Sequence, residues 1–183
     1  DGNPKKKVTV DIDHYLVGNV RVKPGQMQND WILLKLSKDV LADNTNQGFS
    51  FAGILPVTSH NFDQLKDNIV HVSFDFRRRP FRKVVNRDCQ LYQKNRGDMF
   101  WGISSILLHD CDLERHDNSG SPLLLLEDGN YYLLGLHQGG HKDFYGAAFN
   151  PRVNPNFAFG VNHRFQRAIR KFINTRSGDG PAE

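Results

Sequence analysis

The chain has 183 residues and 20.9 kDa, with 38% apolar residues, 24% charged residues and a formal charge of +4. That balance excludes a disordered chain and leaves enough apolar mass for a real core. The longest uncharged apolar run centres on Leu123–Leu126, far below the roughly 18 residues a membrane-spanning helix requires, so such a helix is excluded.

The chain opens on DGNPKKK, polar and without Met, which predicts a processed product and no signal peptide. Basic residues cluster at 5–7 (KKK), at 77–83 (RRRPFRK) and in RFQRAIRK near the end. Such clusters suit nucleic acid or acidic surfaces. Without stacked aromatics or a reader motif, a solvated basic face is the favoured reading.

In chain order, β-type runs recur: VTVDIDHYLVGNVRV, WILLKL, NIVHVSF, KVVNRDCQLY, ISSILL, PLLLL, YYLLGLH and AAFN. Turn-forming stretches such as PGQMQND, DNTNQG, NRGD and EDGN separate them, which predicts many short antiparallel strands in barrels or a sandwich. A connector between two β halves is expected near 57–68. Only the end breaks the pattern: Val161, Phe165, Ala168, Ile169, Phe172 and Ile173 recur at spacings of three and four, predicting an amphipathic helix capped by Asn162. The tail SGDGPAE is expected to fray.

Cys89 and Cys111 either pair or are two buried thiols. Neither has a second Cys or His at ligand spacing except His109 beside Cys111, so no metal and no cofactor are expected.

The stretch DNSGSP at 117–122 sits between a strand-like run and four leucines. A serine on a loop is a poor nucleophile until a base takes its proton and backbone N–H groups hold the oxyanion. Gly120 leaves room for a substrate, and the N–H groups of Asp117, Asn118 and Ser119 are the candidates for that hole. A plain turn explains the same residues, because Ser-Gly pairs are common in turns.

Two more stretches decide between them. NDWILLKL places Asp30 just before a strand, and YYLLGLHQGG is a strand ending in Gly-Gly after the serine. Together with DNSGSP they resemble the trypsin-like (chymotrypsin-fold) serine proteases, in particular the bacterial branch that includes glutamyl endopeptidases. The resemblance runs over about 8–175. It implies a mostly β chain of two antiparallel six-stranded-type barrels, the first incomplete, with a C-terminal helix: residues 1–60 as the remainder of the first barrel, 61–160 as the second and 161–176 as the helix.

The same resemblance implies roles. Ser119 is the nucleophile and Asp30 the carboxylate that orients a histidine and stabilises its cation. Leu113, Glu114, His137, Gln138 and Gly139 line the substrate pocket. Ile32 stands where the family has Ala, and Asp117 where it has the oxyanion glycine. The pocket reads two ways: Glu114 favours a basic P1 residue, the direction preferred here, whereas His137 matches a histidine that glutamyl-specific relatives use to bind a carboxylate.

No histidine stands in the triad position. His14 is the sole one before Asp30, and DIDHYL sets it in an alternating strand; His109 and His116 read as pocket or surface residues, and His60, His71, His141 and His163 have no motif around them. The expectation is therefore the C-terminal part of a cleaved endopeptidase, joined by an N-terminal fragment that carries the catalytic histidine, with Cys89 and Cys111 suiting a periplasmic or secreted location. The rival expectation is an inactive homologue that binds a peptide or protein in the old cleft.

Overall fold

The structure is a computed structural model that describes residues 12–18, 30–36, 53–75, 82–111, 118–140 and 148–174. The chain divides into two compact units, one formed by 52–162 with the first three residues, the other by 4–51 with 163–183. It is mostly β, with a C-terminal helix, as the sequence predicts.

Among the described residues, the larger unit is built on one sheet of eight strands. In chain order its elements are β3 (Gly53–Ile54), the short helix α1 (Phe62–Leu65), β4 (Ile69–Asp75), β5 (Arg82–Cys89), β6 (Leu91–Tyr92), β7 (Ile106–His109), β8 (Pro122–Glu127), β9 (Asn130–Gly140) and β10 (Asn156–Gly160). Seven pair in the order β5-β4-β8-β9-β10-β7-β6, all antiparallel, and β3 joins β9 in parallel. The two ends of that order, β5 and β6, are separated in the chain by Gln90 alone, so the sheet curls until its edges meet as a nearly closed barrel. Closure removes the unpaired edges that an open sheet would leave.

A disulfide between Cys89, the last residue of β5, and Cys111, just past β7, crosses this seam. Beside it, Gln90 N–H donates to the Asp110 carboxylate at 2.6 Å and Asp110 N–H donates to the Gln90 carbonyl at 3.2 Å. Of the two readings of the cysteines, pairing is the one observed.

Alternation decides which side chains point inward. On β8, Leu123 and Leu125 are 0% and 2% exposed while Leu124 and Leu126 are half-buried, so two of the four leucines enter the core and two lie against its outer face. Leu65, Ile69, Leu91, Leu107, Leu134 and Ala158 join them. The stretch 57–68 holds α1, whose Leu65 belongs to this core. β8 and β9 are joined by Asp128 and Gly129 at φ 48° and 78°, the positive values that a two-residue hairpin requires and that EDGN predicts. The AAFN run does not form a strand in its described part; Asn150 makes an isolated bridge to Asn154, and the strand of this region is β10, NFAFG.

The smaller unit contains a two-stranded antiparallel sheet, β1 (Ile12–Val17) and β2 (Ile32–Leu36), and the helix α2 (His163–Asn174), which starts right after Asn162 as predicted. Phe165 and Phe172 are buried, and the Trp31 ring meets Phe165 edge-on at 5.0 Å.

Candidate active site

Ser119 sits in a tight turn. The Ser121 N–H donates to the Asn118 carbonyl at 3.0 Å, and Gly120 between them has φ +87°, a conformation that glycine adopts without the Cβ penalty. The turn is clamped to β9 from both sides. Gly120 N–H donates to the His137 carbonyl at 2.7 Å and His137 N–H donates to the Ser121 carbonyl at 2.8 Å. Asn118 is buried and Ser119 exposed, so the turn is anchored at its base and presents the hydroxyl at its tip.

That hydroxyl donates to the Gln138 carbonyl at 3.2 Å. The structure therefore brings Ser119, His137 and Gln138 together, with Gly139 next along β9 and paired with Phe157 of β10. Gly139 and Gly140 leave the end of β9 without side chains. A Cβ at Gly140 would lie 2.8 Å from Asn156 Oδ1, so that side-chain end would have to shift to admit one. Leu113, Glu114 and Asp117 lie outside the described residues, as do His116 and His141. Asp30 belongs to the smaller unit, where it is exposed and stands two positions before β2.

Behind the turn lies a feature the sequence reading missed. His71 on β4, His109 on β7 and His137 on β9 are 1%, 0% and 4% exposed. His109 Nε2 and His137 Nδ1 share a hydrogen bond at 3.1 Å. The His71 ring stacks near His109 at 6.3 Å and meets His137 edge-on at 5.9 Å between centroids. Burial pushes His71 down to about 4, and burial followed by repulsion from His71 pushes His137 down to about 3. For His109, burial and then its two histidine neighbours hold it well below the ordinary imidazole range. At neutral pH all three rings are uncharged.

The signal for this cluster is in the sequence. In NIVHVSF, His71 shares the inward phase with Ile69 and Ser73, and His109 ends the wholly buried run ILLH. His109, read as a pocket or surface residue, is a core residue, because every position of β7 faces inward or is covered. With His71 it packs against His137 of β9, while the Ser119 hydroxyl has a backbone carbonyl as its partner.

Among the described residues no group of three or more His, Cys, Asp or Glu has a geometry able to hold a metal ion. No helix among them is long and apolar enough to cross a membrane.

No family model matches the chain, and no curated protein matches it. Solved structures do. Tobacco vein mottling virus protease is 19% identical, over 85% of this chain and 58% of that one, with a TM-score of 0.45. Catalytically inactive tobacco etch virus protease complexed with substrate is 13% identical, over 79% of this chain and 54% of that one, with a TM-score of 0.46. A mutant of the same protease is 14% identical, over 80% and 52%, with a TM-score of 0.43. The chain thus spans about half to three-fifths of the length of these viral proteases.

Proposed function

We propose that this chain is part of a serine endopeptidase of the trypsin-like kind, hydrolysing peptide bonds through an acyl-enzyme on Ser119. One observation carries the reading most. The DNSGSP stretch forms a glycine-dependent turn that is hydrogen-bonded to β9 on both sides and holds an exposed serine hydroxyl beside Gln138 and Gly139. An ordinary loop entering a core strand requires no such clamp. A nucleophile does, because a displacement of about 1 Å in the reacting group costs catalysis on the order of a hundredfold.

In this reading Ser119 Oγ attacks the scissile carbonyl, and the N–H groups of Asp117, Asn118 and Ser119 receive the negative charge that develops on its oxygen. A histidine takes the serine proton and returns it to the leaving amine. Asp30 orients that histidine and stabilises its cation. The base is supplied by an N-terminal fragment, because none of the eight histidines stands in the triad motif and three of them fill the barrel core. The buried disulfide favours a periplasmic or secreted enzyme. Glu114 would select a basic P1 residue, the direction preferred, and His137 a carboxylate.

A second reading has one observation in its favour. Ser119 donates its proton to a backbone carbonyl and to no imidazole among the described residues, as an inactive homologue that binds a peptide in the cleft would. Hydrolysis of a mixed peptide library, with cleavage sites mapped by mass spectrometry, separates the two. The chain together with its histidine-bearing fragment is expected to cut at defined sites and the Ser119→Ala form to cut nowhere; peptide retention without cleavage by the unaltered complex would establish the binding module. Nucleic-acid binding through RRRPFRK predicts salt-sensitive retention of DNA or RNA, and no described feature favours it.

A further inference from the structure

The basic run RFQRAIRK has no part in the proposed reaction, and it forms most of α2. No Asp or Glu stands between His163 and Asn174. Arg164, Arg167, Arg170 and Ile173 recur at a spacing of three, which makes them one ridge winding over the helix surface, and all four are exposed. The ridge is cationic as far as Arg170 and then ends in an aliphatic side chain that is 68% exposed. That side chain stands at a groove. Leu33, Leu34 and Lys35 of β2 and Ile169, Phe172 and Ile173 of α2 line a space of about 340 Å³, wholly within the smaller unit. Its volume is at the lower end of the range for ligand sites, and apolar surface left open beside charged side chains marks a place of binding.

The lining selects among occupants. A peptide laid in the groove would press backbone N–H and C=O groups against five hydrocarbon or aromatic side chains, and each one left unpaired costs free energy. An acyl chain has no such groups. At roughly 30 Å³ for a group the size of a water molecule, the space holds about eleven such groups. A methylene is of that size, so one chain of about eleven carbons fills the groove and the two long chains of a phospholipid do not fit. The charge is also complementary to an anion: Lys35 belongs to the lining, and Arg170 is the ridge neighbour of Ile173. A nucleic acid would engage the arginines and leave the groove unused. We infer that the groove between β2 and α2 is a binding site for a single-chain fatty carboxylate, its tail lying on Leu33, Ile169 and Phe172 and its headgroup beside Arg170 and Lys35. The inference stands whether or not Ser119 cleaves peptides.

Titration calorimetry of the full chain with straight-chain carboxylates of eight to fourteen carbons, each below its micelle concentration, tests this. Affinity is expected to rise roughly two- to fourfold with each added methylene and to level off near eleven carbons, when the groove is full. Affinity that does not depend on length, or that climbs without levelling, overturns the inference. The acid is expected to bind roughly fivefold tighter than the alcohol of the same length, the worth of one exposed ion pair. Arg170→Gln is expected to abolish that difference and leave alcohol binding unchanged; equal binding of acid and alcohol by the unaltered chain removes the carboxylate. Ile173→Asp sets a like charge at the lip and is expected to weaken the acid about tenfold or more. Ile169→Trp fills the groove and is expected to stop binding of acid and alcohol alike. If Ile169→Trp does not fold, Ile173→Asp still decides, because position 173 is mostly in water. Unchanged binding in Ile173→Asp overturns the site. Sedimentation with phosphatidylglycerol vesicles, with no uptake of the free acids, overturns it in favour of a membrane surface.

Discussion

The larger unit buries Ile69, Ile106, Leu108, Leu123 and Leu134 to 0% exposure, whereas the smaller leaves Tyr15, Ile32, Leu34 and Ile173 at 60%, 52%, 48% and 68%. The reason is architectural. A nearly closed sheet surrounds its own interior, so each inward side chain meets others on every side. A two-stranded ribbon is marginal alone and has one face too many. In the register of β1 and β2, Tyr15 opposes Leu34 and Val17 opposes Ile32, so one face of the ribbon is apolar and exposed in part. The proposed nucleophile thus stands on the well-packed scaffold and the proposed triad carboxylate on the poorly packed one.

The sharpest way to break this comparison is to remove each residue in turn. Ser119→Ala is expected to lower kcat by about a millionfold, and Asp30→Asn by about ten-thousandfold, both with unchanged far-UV circular dichroism. Equal and small losses would remove the triad assignment.

Acid should act on the larger unit through its histidines. Their pKa values are lowered in the fold, so the neutral forms are favoured there and the unfolded chain binds more protons below its ordinary pKa near 6.5. The stability in question is fully present above about 6.5 and is lost as the pH falls towards 4. With three such groups the slope approaches roughly 4 kcal/mol per pH unit. Urea unfolding at pH 7, 5.5 and 4.5 checks this, and His71→Leu is expected to flatten the curve.

Next in size is the seam. Replacing Cys89 and Cys111 together by Ser is expected to cost about 3 kcal/mol, from the chain entropy of a loop of 22 residues, seen as a lower melting temperature. Core truncation comes alongside, with Leu134→Ala costing roughly 2–5 kcal/mol. The smallest effect is expected at Ile173→Ala, within about 0.5 kcal/mol, because that side chain is already mostly in water. A large effect at Ile173 would mean that something covers the helix.

Much of the larger unit was legible. Strands β4, β5, β8 and β9 announce themselves as short β-type runs between turn residues, and EDGN by its turn chemistry. Helix α2 shows its period of three and four, although Ile173, on the predicted apolar face, turns out exposed. β10 was missed because NFAFG is short, lies between Pro and Asn residues, and competes with the more alanine-rich AAFN nearby. Helix α1 is four residues long, too short for periodicity to register.

At the site, Ser119, His137 and Gln138 could be brought together on motif alone, since one turn and one strand supply all of them. The His71–His109–His137 cluster could not. It joins positions on three strands that only the sheet order and barrel curvature make neighbours. A histidine in the inward phase of a strand is the one local hint, and it names no partner.

The central claim is that the oxygen at 119 becomes nucleophilic once a histidine is delivered to it. A fluorophosphonate probe reads this directly, because it bonds covalently only to an activated serine. With the chain joined to its histidine-bearing fragment, one probe is expected on the peptide containing Ser119, and none on Ser119→Ala. Absence of label from that peptide in the complete complex, or a label that persists in Ser119→Ala, would contradict the account.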